Sequence, residues 1–181
     1  IPVKYGVRQP YAENGGPGGF AHAARNIGPI MQIAHDMEQA CPEAWFVNFT
    51  NPMVRICDAV NRHSNIKAVG LCHQIYAGYG MVGVALANDL GIEVPEGLTG
   101  MHASVDQHPL QHRVREQIVP LVDIRAAGLN HFTWILSIND RRTGEDLYPL
   151  FRKRFFELKP EFEPLTRDVF SAFGLFPIPG D

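Results

Sequence analysis

The sequence lacks the features that would suit a membrane, a nucleic-acid surface or a disulfide scaffold. No apolar run approaches the roughly 20 residues that a helix needs to cross a bilayer. The formal net charge is −3, which gives no electrostatic reason to expect nucleic acid or an anionic membrane as a partner. Only three cysteines occur, without dense spacing, and this favours a reducing compartment, the cytoplasm.

The composition is that of a soluble globular protein. Apolar residues make up 45% of the chain and charged residues 19%, enough to form a sizeable core. The chain begins with Ile1-Pro2-Val3, without an initiator Met, and stops at the apolar stretch "FPIPGD". We therefore expect an internal piece of a longer protein.

The first part of the chain predicts a long helix that follows a glycine-rich loop, Gly15-Gly16-Pro17-Gly18-Gly19. The loop does not have the G-x-G-x-x-G spacing of a dinucleotide fingerprint, and no clear strand precedes it. Pro42 marks the point by which the helix has ended. The apolar positions that recur at helical spacing are Ile27, Ile30, Ile33, Ala34 and Met37.

A strand, a helix and a second strand follow. "AWFVNFT" and "IKAVGLC" have the length and apolar character of buried strands, and "PMVRICDAVNRHS" between them predicts a helix with Asn51 as its N-cap and Pro52 at its first position. Such a unit predicts a parallel sheet, whose ligands bind beyond the carboxyl ends of the strands. Asn48, Asn51, Cys72 and His73 follow those ends.

The remainder predicts a mixture of helix and strand. "GYGMVGVALANDLG" is typical of a helix ended by Gly91. Residues 93–122 are irregular, and their "LQHRVREQIVPLV" is compatible with a helix or with an inserted hairpin. "DIRAAGLNHFTWILSIND" predicts one strand with Asn130 and His131 near its middle, and "RRTGED" predicts a turn. The segment after it predicts a helix interrupted at Pro160 and Pro164.

Several of these side chains have chemistry that suits a site. The thiolate of Cys72 and the imidazole of His131 are good ligands for a divalent ion, but the pattern alone favours a buried cysteine and a hydrogen-bonded histidine. His73 is compatible with a catalytic role or with none. Amides such as Asn48 and Asn51 can hold a sugar hydroxyl or a nicotinamide, and Asn51 also suits a helix cap.

The order of the motifs is more specific than any single motif. "NFTNPM", "GLCH" and "AGLNHFTW" together resemble the NAD- and metal-dependent glycoside hydrolases of family 4, which include α-glucosidases, α-galactosidases, α-galacturonidases and 6-phospho-glycosidases. "KYG", "ENGGPGG" and "FPIPGD" extend the resemblance, whereas about 93–122 looks like an insertion.

The resemblance implies an α/β fold in two parts. Residues 1–72 would form the second half of a Rossmann-like dinucleotide-binding domain, similar to that of lactate and malate dehydrogenases, with its N-terminal half absent. Residues 73–181 would begin an α+β catalytic domain. This fragment alone would be inactive, because the tyrosine that serves as the family's C2 base should lie beyond Asp181.

The resemblance also implies roles for individual residues. Cys72 and His131 match the protein ligands of a catalytic Mn²⁺, although thiolate ligation by itself would favour Zn²⁺. His73 matches the general acid, and Asn51 matches a residue that contacts substrate near the nicotinamide of NAD. The other matched positions are Asn48 and Asn130, which flank the site, Glu13, an acid near the substrate, and Asp181, an acid near the C2 base.

The implied reaction is hydrolysis of a small α-glycoside by a route that does not use two carboxylates. The sugar is oxidised at C3 by NAD, loses its C2 proton and releases its aglycone by elimination. The 6-phospho-α-glucosidases have Asp where this chain has His73, so the resemblance favours an unphosphorylated substrate. Family members are commonly dimers or tetramers, which implies a homo-oligomer.

Two other functions are compatible with parts of the pattern. A 2-hydroxy-acid NAD dehydrogenase of the malate or lactate type would share the sheet and the Asn-Pro turn, but would not need a metal-bound thiol. A non-catalytic sugar-binding or assembly module on the same fold would tolerate the loss of Cys72.

Overall fold

The structure, a computed structural model, describes residues 2–6, 16–101, 107–129 and 132–178. Within these residues no helix is both long enough and apolar enough to span a membrane. The chain divides into two compact units, Ile1–Cys72 and His73–Asp181. Four of the residues to which the sequence assigned roles, Glu13, Asn130, His131 and Asp181, lie outside the described ranges.

The first unit contains the predicted strand, helix and strand. A short 3₁₀ turn, Pro2–Tyr5, is followed along the chain by helix α1. Strands β1 and β2 pair in parallel, with Trp45 opposite Lys67 and Asn48 opposite Gly70, which confirms the predicted parallel sheet. The bounds are α1 Gly16–Ala40, β1 Trp45–Asn48, α2 Met53–His63 and β2 Lys67–Gly70.

Helix α1 begins earlier than the sequence predicted. Gly16, Gly18 and Gly19 belong to its first turns rather than to a preceding loop. Its inward face contributes the fully buried Ala34, whereas Ile33, which was expected on the same face, is 47% exposed. The buried residues of this unit's small core are Ala34, Val60 and Ile66, with Ile30, Met31, Met37, Phe46 and Ala68 packed around them.

The two sides of strand β2 are hydrogen-bonded in different ways. The Leu71 N–H donates to the Asn48 carbonyl, so β2 directs its odd-numbered peptide groups toward β1 and those of Ala68 away from it. There the side chain of Asn61 accepts from the Ala68 N–H (3.0 Å) and donates to the Ala68 carbonyl (3.2 Å). The outer edge of β2 is therefore satisfied by a side chain at this residue.

One face of the same sheet is apolar and exposed. Phe46 and Ala68 pack toward the helices, and the alternate residues point to the opposite face. Trp45 is 60% exposed, Val47 49% and Val69 40%. Parallel sheets normally have both faces covered, so this face is suited to a further packing partner.

The second unit combines helices with an antiparallel sheet of strand order β3-β4-β5. The predicted helix near Gly91 is present as α3 and α4, divided at Leu86, and it ends at Gly91 in the left-handed conformation, φ 67°. The bounds are α3 Ile75–Ala85, α4 Ala87–Leu90, α5 His108–Ile118, β3 Val122–Leu129, β4 Phe132–Asp140, α6 Tyr148–Glu157, α7 Pro164–Phe173 and β5 Phe176–Pro177.

The expectation of a single strand around Asn130 and His131 is wrong. The segment forms two strands, β3 and β4, which pair antiparallel from Val122 opposite Asp140 to Leu129 opposite Phe132. The strands approach so closely at Gly128 that a Cβ there would lie 2.6 Å from the Thr133 Cα. Apolar residues continue through both strands, and the turn-favouring residues near the reversal, Gly128 and Asn130, were too weak a signal to divide the pattern into two strands.

The open question about the segment before β3 is resolved in favour of a helix. Helix α5 packs against α3, and its Val114 and Ile118 are fully buried in the core of the second unit. Part of the segment expected to be an insertion therefore supplies core side chains.

The phenylalanines of α6, α7 and β5 form the centre of this core. Phe151, Phe155, Phe170 and Phe176 are all fully buried, and the rings of Phe155 and Phe176 meet edge to face at 4.9 Å. Burial of each such ring contributes about 1.5–3 kcal/mol. As predicted, prolines separate the helices: α6 ends at Glu157, and α7 begins at Pro164.

We predict that Gly83→Ala destabilises the chain. A Cβ at Gly83 would lie 2.7 Å from the Val114 Cγ1 and 3.2 Å from the Ile118 Cβ, so α3 and α5 would have to separate. Overpacking of this kind costs about 1–3 kcal/mol, measurable by urea unfolding.

Gly28→Ala is the matched control, because Gly28 is also helical and a Cβ there meets nothing within 4 Å. It should leave the free energy of unfolding unchanged or raise it by up to about 1 kcal/mol. Equal stability of the two variants would contradict the close approach of α3 and α5.

Candidate functional site

The ends of β1 and β2 bring two loops together in the first unit. Asn48, the last residue of β1, is opposite Gly70, the last residue of β2. The Leu71 N–H donates to the Asn48 carbonyl at 2.9 Å, which extends the pairing one step beyond the strands. The loop that contains Asn51 and the loop that contains Cys72 therefore start side by side, at the edge where parallel sheets bind ligands.

The side chain of Asn48 is hydrogen-bonded to the backbone of the loop that follows it. Asn48 is 2% exposed. Its Nδ2 donates to the Thr50 carbonyl (2.9 Å), and its Oδ1 accepts from the Thr50 N–H (3.0 Å). The amide thus satisfies both backbone groups of one loop residue.

Cys57 lies beneath this loop and was not singled out from the sequence. The Asn48 Nδ2 lies 3.7 Å from its Sγ, as a second, weaker donor contact. Burial raises the pKa of the Cys57 thiol above its ordinary value, and the Asn48 contact only partly opposes this effect. The position of Cys57 beneath the strand ends could not be read from periodicity. An Asn side chain that bonds the backbone two residues further on, as Asn48 does, is a known turn pattern.

Gly70 allows the close packing at the end of β2. A Cβ at this position would lie 2.5 Å from the Met53 Cγ and 3.0 Å from the Cys57 Sγ. A larger residue would require the Met53 side chain to move aside and would press on the Cys57 Sγ.

The expectation that Asn51 caps α2 is wrong by one residue. Pro52, with ψ 107°, is the N-cap residue, and α2 begins at Met53. The Asn51 Oδ1 accepts a long hydrogen bond from the Met53 N–H (3.4 Å), and the side chain is exposed. The shift arises because Pro52 keeps extended backbone while its carbonyl accepts from the Ile56 N–H, as an N-cap carbonyl does.

Cys72 ends the first unit with an exposed side chain. All three cysteines, Cys41, Cys57 and Cys72, are free thiols. An exposed thiol just beyond a strand end is accessible to a metal ion, and its sulfur suits a borderline or soft divalent ion. The residue therefore fits a role as one ligand, while its expected partner, His131, lies outside the described residues.

His73 begins the second unit. Its side chain is exposed, and its carbonyl accepts from the Tyr76 N–H (2.9 Å) in the turn that leads into α3. Among the described residues, no group of three or more His, Cys, Asp or Glu side chains is placed to hold a metal ion.

Comparison with known proteins identifies the class. Residues 1–87 match the family 4 glycosyl hydrolases, and residues 126–181 match the C-terminal domain of the same family. The chain is 35% identical to an α-galactosidase of Bacillus subtilis (strain 168) over 178 residues, which is 97% of this chain and 34% of that protein. It is 37% identical to an α-glucosidase of Erwinia rhapontici over 149 residues, 82% of this chain and 26% of that protein.

Solved structures of glycosidases have a similar fold. A putative glucosidase from Bacillus subtilis, lplD, has a TM-score of 0.69 and 27% identity, covering 100% of this chain and 40% of that one. A 6-phospho-α-glucosidase from gut microorganisms, in complex with NAD and Mn²⁺, has a TM-score of 0.60 and 22% identity, covering 92% of this chain and 35% of that one.

The chain belongs to glycosyl hydrolase family 4. Its mixed α/β fold, with one parallel and one antiparallel sheet, is that of the family's enzymes. It spans about a third of the length of the curated relatives it matches. The family matches leave residues 88–125 uncovered, a range that contains all of α5.

We predict that the three thiols react at different rates. Exposed Cys72 and Cys41 should be alkylated by iodoacetamide well before Cys57, because the raised pKa of Cys57 leaves less thiolate at pH 8. Mass spectrometry of peptides gives each rate, and the Cys57 rate should rise the most between pH 8 and pH 10.

Cys41 serves as the internal control, since it is exposed and lies before the start of β1 rather than beyond a strand end. If Cys57 reacted as fast as Cys41 at pH 8, the burial of that thiol beneath the loop would be wrong.

Proposed function

We propose that this chain is part of an NAD- and divalent-metal-dependent glycosidase that hydrolyses unphosphorylated α-glycosides. Its membership of family 4 supports the glycosidase reaction. The pairing of β1 with β2 is the observation that supports a location for the active site. It sets the Asn51 loop beside the segment that leads to Cys72.

The metal in this proposal is Mn²⁺, held by Cys72 and His131. Exposure of the Cys72 thiol beyond the strand end supports its part, and the Mn²⁺ and NAD of the gut 6-phospho-α-glucosidase support the choice of cofactors. When bound, the dinucleotide would supply a reversible hydride acceptor for the sugar C3, and the ion would supply a Lewis acid. Water would add after the aglycone leaves and the hydride would return, so that the net reaction would be hydrolysis.

The chain's own residues bind the sugar and move its protons in this proposal. His73 protonates the departing glycosidic oxygen, and its exposed side chain supports this role. The exposed amide of Asn51 contacts the sugar near the nicotinamide. Family resemblance supports the further assignments: Asn130 and Glu13 near the substrate, and Asp181 near the C2 base.

The substrate is an α-linked sugar without a phosphate. The α-galactosidase and α-glucosidase relatives support this class, as does His73 in the position where the resemblance places Asp in 6-phospho-α-glucosidases. The 6-phospho-α-glucosidase neighbour makes the phosphorylated sugar the alternative to test.

The proposal includes a longer polypeptide that completes the dinucleotide-binding domain. The exposed face of Trp45, Val47 and Val69 supports it, because further elements would cover that face. Residues 1–72 would be the second half of that domain and residues 73–181 the start of the catalytic domain. The intact enzyme would be a dimer or tetramer, as the family resemblance implies, and cytoplasmic, in keeping with the exposed free thiol of Cys72.

The test uses the intact enzyme that contains this chain, with aryl α-glucoside, α-galactoside and α-galacturonide and their 6-phosphates. Cleavage of at least one unphosphorylated glycoside should require NAD⁺ and Mn²⁺. Cys72→Ser should lower kcat/KM by about 100-fold or more, because a ligand to the ion is weakened.

Cys41→Ser is the matched control and should behave as wild type, because Cys41 is an exposed thiol outside the site. Turnover that persists after removal of the dinucleotide would contradict the mechanism. Oxidation of 2-hydroxy acids without a metal would favour a dehydrogenase, and unchanged function in Cys72→Ser would favour a non-catalytic module.

A further inference from the structure

We infer that Asn48 is a positioning residue that acts through Thr50 on Asn51. The inference rests on the proposed function for the role of Asn51, but the contacts that support it belong to the loop itself. In place of the direct ligand contact expected from the sequence, Asn48 holds the segment 49–51 in the conformation that presents Asn51 at the end of β1.

The contacts of Asn48 leave little capacity for a ligand. Its side-chain amide has two N–H donors and one carbonyl acceptor. One donor goes to the Thr50 carbonyl, the other contacts the Cys57 Sγ, and the acceptor receives the Thr50 N–H. With 2% of its surface exposed, Asn48 supports the loop from beneath.

The consequence for Asn51 is geometric. Because both peptide groups of Thr50 are held by one buried side chain, the backbone that enters Asn51 has a fixed direction. The Phe49 side chain on this loop is 72% exposed, so it supplies little packing to hold the loop in its place. The Asn51 side chain itself makes one long hydrogen bond, 3.4 Å to the Met53 N–H. The amide pair of Asn48 therefore constrains the loop backbone at Thr50.

The same unit contains a matched amide with no such role. Asn61 holds both backbone groups of Ala68 in the way that Asn48 holds those of Thr50, at 3.0 and 3.2 Å. Its pairing lies on the outer edge of β2, away from the strand ends. Variants of Asn61 lose a pair of side-chain hydrogen bonds without affecting the loop, whereas variants of Asn48 lose such a pair and also the conformation of the loop.

The variants are Asn48→Asp and Asn61→Asp, with Asn48→Ser and Asn61→Ser as uncharged companions. At position 48, Asp keeps the acceptor for the Thr50 N–H but places an oxygen against the Thr50 carbonyl. Ser is too short to bridge both backbone groups of Thr50. The Ser variant keeps the test decisive if a buried charge at position 48 prevents folding.

The first measurement is amide hydrogen exchange on the 181-residue chain. Asn48→Ser should exchange the Thr50 amide up to about tenfold faster, as expected for loss of one net hydrogen bond, with β1 unchanged. Asn48→Asp keeps the acceptor for the Thr50 N–H and should change this exchange less. The Asn61 variants should leave the Thr50 amide as in wild type. The second measurement is steady-state kinetics of the intact enzyme, where the Asn48 variants should lower kcat about tenfold or more and the Asn61 variants should not.

The outcomes are distinct. Loss of activity in Asn48→Ser without faster exchange at Thr50 would indicate direct ligand contact by Asn48 and overturn the inference. Faster exchange across both strands would indicate a role in the whole fold and also overturn it, as would faster loop exchange with unchanged kinetics. If the wild-type enzyme cleaved no glycoside, the proposed function would fail, and exchange alone would decide whether Asn48 holds the loop.

Discussion

The parallel pairing of β1 with β2 is the constraint on which the candidate site depends. It aligns Asn48 with Gly70, so the chain leaves both strands at one edge of the sheet. The absence of a side chain at Gly70 lets Met53 and Cys57 pack directly against that strand end. Two loops that are about 20 residues apart in sequence are thereby held by one hydrogen-bonded ladder, which is how a βαβ unit commonly forms a ligand site.

The core of the second unit is built from two stretches of the chain. Residues 88–125 fall outside the family matches, yet they include α5, whose Val114 and Ile118 pack tightly on Gly83 of α3. The phenylalanine cluster of α6, α7 and β5 lies within the matched C-terminal part. The core of this unit thus combines the phenylalanine cluster with side chains of helix α5. The two can pack together because a hydrophobic contact needs only apolar side chains of suitable size.

Sequence reasoning predicted the helices and strands that have a local sequence signal. It missed the features that depend on contacts between residues in the folded chain. The two strands of the first unit, the proline-separated helices and the Gly91 helix end follow from period, proline and glycine, and the structure confirms them. The β3–β4 hairpin was missed because Gly128 and Asn130 are a weak turn signal within a continuous apolar pattern. The N-cap was placed one residue early because Asn and Pro both suit adjacent cap positions. The pairing of Asn48 with Thr50 has no periodic signal, and the roles of His131 and Glu13 came from family resemblance and remain predictions.

The most direct test of the central claim, that the strand ends carry a metal site built on Cys72, is absorption spectroscopy of the Co²⁺-substituted intact enzyme. We expect a thiolate-to-cobalt charge-transfer band in the wild type and in Cys41→Ser, and its loss in Cys72→Ser. A wild-type spectrum without the band, or a band that persists in Cys72→Ser, would contradict the claim.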